Sequence, residues 1–511
     1  MNNTNHRVPP LVGGSGALFR DCLTVCLFFW AVFVLTNSGF DTSEGVYQYR
    51  MADQIVRTGQ LSFRDPQPGQ FVVAPNGRTY AVHEIGNTLF LLPTAILIRL
   101  VKHAVREIVS PILLNRIEPF ALSCQAGMYS AVAATLFFAI LRRHYGQGTR
   151  QSFLATCTLM FSTYLWTYSR NLFDGVLCAT LLLASWFFLL EYAQTNERRH
   201  LVCAVLFLGV GFITRITMLL AIVASFLYLA GVARAMPAHR WRVNYTVAMV
   251  TLLPFVVWQS WYNHLRTGIF YLSPVQTARF TPNNALDGRL VEGLAGLLCS
   301  PGKSLWVYVP LLAISVLMFK RFSREHKAEA LYVASLSILW LLVHAKLRSW
   351  YGSWGWGPRH FVTIIPIALL PCAIYGKSVM KHTALKIVAS VLGAWGILLA
   401  AASIISNWHF RMSYALQQGR LNNTAFVWGV WQNQAIDMLQ ASTMNVVRLV
   451  HHAPMVHVIG ASPENEYASN TLNLWWYSAL HVGVPWWLVL MPGLGWLALA
   501  GWALHRLLRD G

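Results

Sequence analysis

The chain has 511 residues, 56% of them hydrophobic and only 11% charged, with 21 Trp and a mean hydropathy of +0.47. Soluble domains carry roughly 25% charged residues, so an extensive water-facing surface is excluded, as are disordered and collagen-like chains. Lys and Arg total 39 against 19 Asp and Glu, a net charge of +20 that suits anionic headgroups and cytoplasmic loops, and equally a phosphate-bearing ligand.

A polytopic membrane protein remains, because apolar stretches of about 20 residues, each able to cross a bilayer core of ~30 Å, recur along the chain. Arg7 and Arg20 precede the apolar stretch Cys22–Thr36 with no Ala-x-Ala-like site after it, which predicts an uncleaved first span rather than a leader. Twelve spans are predicted, near 21–38, 119–141, 152–168, 175–193, 201–214, 216–233, 243–262, 304–319, 330–345, 360–376, 387–405 and 484–503. The expected fold class is therefore an all-α polytopic membrane protein. Gly86–Val101 is apolar but short, contains Pro93 and is flanked by Arg99 and Lys102, so it reads as an interfacial helix within a long first external loop, 39–118.

Basic clusters at Arg142-Arg143, Arg198-Arg199, Arg240 with Arg242, Lys320-Arg321 and Lys377 with Lys381 then fall on one side, which places both termini in the cytoplasm and the long loops outside. Residues 1–405 form one membrane module. Residues 406–511 comprise an external loop, 406–483, and the last span. Seven of the eight cysteines lie in apolar segments and Cys299 stands alone in an outer loop, so neither a disulfide framework nor a CxxC metal site is expected.

Ionisable groups beside apolar spans are costly and therefore informative. Asp41-Thr42-Ser43-Glu44 leaves the first span and leads into a short helix ended by Gly59. Helix capping accounts for one oxygen-bearing side chain here, but not for two carboxylates three residues apart. Tyr80, His83 and Glu84 precede the interfacial helix, either as polar anchors or as site residues. Arg170 and Asp174 form a tight hairpin between two spans, and Arg215 lies between two more, where snorkelling is the bland alternative. Ser300-Pro301-Gly302-Lys303 lacks the full phosphate-loop spacing, yet Lys303 can still face a phosphate. The densest cluster runs from His344 through Arg348, Trp354, Trp356, Arg359 and His360. Its glycines allow close backbone approach, its arginines present a donor fork to phosphate, and its indoles offer flat faces to sugars or isoprenoid chains. An aromatic belt with snorkelling cations is the competing explanation.

Taken in order over roughly the first 380 residues, these motifs resemble the C-type superfamily of integral-membrane glycosyltransferases, in the branch of the bacterial aminoarabinose transferase and the protein O-mannosyltransferases. That family usually carries an adjacent Asp-Glu pair, whereas here Thr42-Ser43 separates the two acids. Residue type favours Asp41 as the equivalent, and spacing to Ala52 and Gly59 favours Glu44. The resemblance implies inverting transfer of a sugar from a polyprenyl phosphate to an acceptor hydroxyl of a lipid, glycan or protein, on the outer face of a bacterial inner membrane. Asp41 or Glu44 would act as general base, with Arg215, Lys303, Arg348, Arg359 and His360 holding the donor phosphate. Tyr80, His83, Glu84, Arg170, Asp174, Trp354 and Trp356 would line the site. No metal or other cofactor is expected, although Asp41, Glu44 and Glu84 could hold a divalent ion. No nucleic-acid partner is expected. The rival class is a transporter or flippase of a lipid-linked or anionic solute, which predicts related halves and charges at mid-depth. External loop 406–483, with Trp408, Trp428, Trp431, His451 and His452, is the expected place for acceptor choice.

Overall fold

A computed structural model describes residues 15–39, 44–233, 237–276, 285–352, 355–408, 427–431, 433–450, 472–481 and 484–509. Asp41, Trp354, His451 and His452 lie outside the described residues.

Among the described residues, the fold is helical apart from one small hairpin. Its helices are α1 (Ser15–Leu35), α2 (Gly45–Thr58), α3 (Gly86–Val105), α4 (Pro111–Arg143), α5 (Thr149–Phe161), α6 (Leu165–Tyr168) and α7 (Asp174–Thr195). There follow α8 (Arg198–Thr214), α9 (Leu219–Ala233), α10 (Ala238–Thr267), α11 (Leu290–Cys299), α12 (Leu305–Tyr308), α13 (Leu312–Glu325) and α14 (Lys327–Ala345). Short pieces α15 (Ile365–Ala368), α16 (Leu370–Ile374) and α17 (Gly376–Lys381) lead into α18 (Thr383–Ile405). Helices Gln434–Val450, Trp475–His481 and Trp486–Arg509 complete the described residues.

Among the described residues, nine helices are long and apolar enough to cross a membrane, by length and composition. Eight of them coincide with predicted spans; the ninth is α3. The chain is a multi-pass membrane protein. The other four predicted spans form shorter or interrupted helices. Segment 152–168 breaks at Ser162 between α5 and α6, and α8 has 17 residues. Pro310 separates α12 from α13, while Pro366 and Pro371 open α15 and α16. A proline has no amide hydrogen to give and clashes with the preceding turn, so an apolar run containing it need not be one helix.

Helix α3 also differs from the sequence expectation. It continues through Arg99 and Lys102 to Val105, 20 residues in all, and exposes Leu89, Phe90, Ile96, Leu97 and Leu100. Long basic side chains extend from an apolar helix without ending it, so charge was a poor marker of the boundary.

Three packing features position the site. First, α1 lies between α4 and the last helix, and α7 between α4 and α8. Second, strands β1 (Phe71–Val73) and β2 (Thr79–Ala81) pair antiparallel with Val72 opposite Tyr80, and β2 delivers the chain directly to His83 and Glu84. Third, Gly86 allows α3 to touch the end of α8: a Cβ there would fall 2.1 Å from Thr214 Oγ1 and 2.6 Å from its Cα.

Described residues beyond 405 pack into the same body. Arg170 Nη1 donates to the Ile404 carbonyl at 2.7 Å, and its other terminal nitrogen donates to the Asn473 carbonyl. Gln434 reaches the glycine turn inside the His344–His360 cluster: Oε1 accepts from the Gly357 amide at 3.1 Å and Nε2 donates to the Gly355 carbonyl at 3.1 Å. Gly357 has φ +57°, the left-handed region that glycine enters without a Cβ clash.

Candidate active site

The chemistry converges at a cavity built from helix ends. Glu44 stands at the N-cap of α2, but its side chain makes no capping bond. Instead its carboxylate accepts from Arg359 Nη1 at 3.1 Å and lies 4.0 Å from His83 Nε2. The two residues are 315 positions apart in the chain. Arg359 opens the one-turn 3-10 helix Arg359–Phe361, and its guanidinium sits 5.4 Å from the centre of the Phe173 ring.

A second ion pair faces the first. Asp174, the first residue of α7, lies 3.4 Å from Arg215 Nη1. Arg215 is an extended residue (φ −153°, ψ 120°) in the break between α8 and the 3-10 helix Ile216–Met218, so its side chain leaves the helix direction and turns into the cavity. Its Nη2 lies 3.1 Å from His360 Nδ1. Glu44, His83, Glu84, Asp174, Arg215, Arg359 and His360 all line this one cavity. Its apolar wall includes Val275, Leu286 and Val343.

Glu84 is buried and accepts from Ser273 Oγ at 2.5 Å. Beneath it lies Arg266, a fully buried cation at the end of α10 that sequence reading did not single out. Arg266 Nη1 donates to the carbonyls of Val82 at 2.7 Å and His83 at 2.9 Å, Nη2 donates to Asn263 Oδ1 at 2.9 Å, and Nη2 lies 3.8 Å from Glu84. The guanidinium also covers the Tyr262 ring at 4.1 Å. It fixes the backbone that presents His83 and Glu84. The only sequence signal was a basic residue near a helix C-terminus, a common feature that says nothing about its partners.

Electrostatics of the first pair have a clear sign. Burial alone would raise the Glu44 pKa, but Arg359 foremost, then His83 and Arg215, more than offset it and hold the carboxyl below its usual range. Arg359 is opposed by burial in the same way, and Glu44 with Tyr168 carries it above its ordinary value. Glu44 is therefore an anion at neutral pH.

Other predicted residues lie elsewhere. Lys303 is buried, but its Nζ donates to the Gly355 carbonyl at 2.6 Å and the Gly357 carbonyl at 3.3 Å, and burial pushes its ammonium pKa well down. It braces the turn that carries Arg359. Arg348 is half exposed and pairs with Asp287, its Nε 3.0 Å from Oδ1, while the neighbouring Leu347 faces the cavity. Arg170 serves backbone carbonyls, as described above. Trp356 is fully buried edge-on to Tyr308, and Tyr80 Oη accepts from Asn76 Nδ2 at 3.0 Å. None of these is among the residues lining the cavity. Among the described residues, no three His, Cys, Asp or Glu side chains are grouped so that they could hold a metal ion.

Such a constellation, a carboxylate from the loop after the first helix against cations from later turns in a multi-helix membrane protein, can accept a proton and hold a phosphate side by side. Comparison with known proteins bears on its class. Residues 112–261 match the family described as dolichyl-phosphate-mannose-protein mannosyltransferase. The match runs from α4 into α10 and includes Asp174 and Arg215; Glu44, His83 and Arg359 lie outside it. No curated protein sequence matches the chain. Among solved structures, the chain is similar to ArnT from Cupriavidus metallidurans bound to undecaprenyl phosphate, at TM-score 0.44 and 14% identity over 84% of this chain and 78% of that one. It is similar to the apo state of the same protein at TM-score 0.45 and 12% identity, with the same coverage. The chain is thus similar to C-type membrane glycosyltransferases, through the family match in its first half.

Proposed function

We propose that the protein transfers a sugar from a polyprenyl-phosphate donor to an acceptor hydroxyl on the outer face of a bacterial inner membrane, with inversion at the anomeric carbon and both termini cytoplasmic. The acceptor oxygen attacks the anomeric carbon as the bond from that carbon to the phosphate oxygen breaks. The hydroxyl proton passes to a carboxylate, Glu44 or Asp41. Polyprenyl phosphate departs with its charge held by Arg359 and Arg215, assisted by His360, and preorganised charges of this kind usually dominate such barriers. No metal is assigned to the reaction.

The observation that carries this reading is the meeting of Glu44 and Arg359, at 3.1 Å, in a cavity that also holds Arg215 and His360. The family description of the matched segment, which names a polyprenyl-phosphate sugar as donor, agrees with it. A transporter or flippase would need ionisable groups at mid-depth along a path, whereas these sit at helix ends and in the turns between them.

The test incubates purified protein with a panel of labelled polyprenyl-phosphate sugars and hydroxyl acceptors, together with Asp41→Asn and Glu44→Gln. Transfer from at least one donor, falling about 10²- to 10⁴-fold in one of the two variants, is the expected result. Failure of every donor would remove the glycosyl-transfer reading. Full turnover in both variants would remove the carboxylate base.

A further inference from the structure

His344 lines the cavity but has no role in the reaction as drawn above. It lies on the last turn of α14, fully buried. Its Nδ1 is 2.8 Å from the backbone carbonyl of Trp340. A carbonyl can only accept, so Nδ1 carries the ring hydrogen, and in the neutral imidazole Nε2 is then left with a bare lone pair. Among the described residues that Nε2 has no hydrogen-bond partner.

The ring is held in this orientation. The Trp340 indole stacks on it at 5.0 Å, and His360 and Phe361 contact it at 5.2 and 5.7 Å. Trp340 also fixes the neighbouring turn, its Nε1 donating to the His360 carbonyl at 2.9 Å. His360 has the opposite tautomer. Arg215, which can only donate, faces its Nδ1, so its hydrogen is on Nε2.

A buried acceptor without a donor is destabilising, and one that persists inside a binding cavity calls for an explanation. The chemistry of the missing partner is restricted. A phosphodiester is fully ionised at neutral pH and has no hydrogen to offer, so its oxygens would be repelled by the Nε2 lone pair. An isoprenoid chain has none either. A sugar has several hydroxyl groups that can donate.

We propose that His344 recognises the transferred sugar, its Nε2 accepting a hydrogen bond from one hydroxyl of the donor's glycosyl group while Arg215 and Arg359 hold the phosphate. This rests on the glycosyl-transfer reading and extends it: His344 separates glycosylated donor from bare polyprenyl phosphate, the product that must leave. A site built to pair with a hydroxyl discriminates strongly against a ligand that lacks it.

The experiment measures competitive binding to the full chain in detergent of two probes, bare polyprenyl phosphate and whichever polyprenyl-phosphate sugar the unaltered protein binds best. His344→Phe should weaken the glycosylated probe about tenfold, the equivalent of one buried hydrogen bond, and leave the bare phosphate within about twofold. Unchanged binding of the bare probe also reports that the variant is folded. His344→Gln, which keeps an acceptor, should restore part of the loss. Equal weakening of both probes in the two variants, or no weakening of the glycosylated probe, overturns the assignment while leaving the glycosyl-transfer reading standing. Failure of the unaltered protein to bind any polyprenyl-phosphate ligand overturns both.

Discussion

Replacing Arg359 by Gln separates the two jobs proposed for one guanidinium. Arg359 is the principal counter-charge of Glu44 and, in the proposed reaction, the cation that receives the leaving phosphate. Its side chain is 17% exposed and that of Glu44 27%, so solvent screens the pair only in part. Two unit charges about 4 Å apart attract by roughly 4 kcal/mol at an effective dielectric of about 20, before the cost of burying them is subtracted. His83, 4.0 Å from Glu44, and Arg215 remain in the variant and limit the damage to the fold. We therefore expect a stability loss of about 1–3 kcal/mol. Losing one preorganised charge at the departing phosphate costs roughly 10²- to 10³-fold in turnover.

The pH profile distinguishes the two jobs. Arg359 lowers the Glu44 pKa, so without it the carboxyl stays protonated to higher pH and the acid limb of the rate profile moves upward. The same sign governs stability: the contribution of Glu44 is complete above its unfolded pKa and disappears as pH falls through its lower folded value. Transfer from a labelled donor is measured from pH 5 to 9 in the unaltered protein and in Arg359→Gln. A loss that persists on the alkaline plateau supports phosphate binding. Full recovery at alkaline pH, or a deficit below about tenfold throughout, would show that Arg359 acts only on Glu44 or on neither.

Removing Arg266 as Arg266→Met should lower stability by about 3–5 kcal/mol, because Glu84 keeps its burial without its cation and the Val82 and His83 carbonyls lose their donor; chemical denaturation in detergent reads it, and partial recovery with Glu84→Gln added is expected. Gly86→Val should push α3 away from α8 beside Arg215, costing about 1–3 kcal/mol, and an unchanged thermal midpoint would contradict the close approach. Arg348→Ala should leave transfer within about twofold, since its partner is an exposed aspartate; a tenfold loss would return Arg348 to the phosphate site.

Much of the fold was legible because bilayer thickness acts directly on sequence. Runs such as Thr383–Ile405 and Asp174–Thr195 leave no alternative to a helix of spanning length. Interrupted segments were not legible, because hydropathy registers apolarity and is blind to the backbone breaks at Ser162, Pro310, Pro366 and Pro371. The same blindness hides the 3-10 turn of Arg359 and His360, at the start of the segment 360–376 expected as a span.

Within the site, Glu44, His83, Glu84, Asp174, Arg215, Arg359 and His360 could be picked out because charge beside apolar sequence is rare. Direction was the missing information. Arg348 and Arg359 look alike in the sequence, yet one faces Asp287 at the surface and the other faces Glu44. Lys303 and Arg170 are as basic as Arg215 but are committed to backbone carbonyls. Arg266 escaped notice because the carbonyls it serves, those of Val82 and His83, lie more than 180 residues away, just after a β-hairpin that hydropathy does not reveal.

The side chain of Gln434 spans the Gly355–Gly357 turn, and Tyr308 Oη joins it at 3.2 Å. A helix from the last quarter of the chain thus sets the lever arm on which Arg359 is mounted. Exchanging this region for a foreign segment would therefore also shift the mount of the Arg359–Glu44 pair, unless a glutamine is kept at that position.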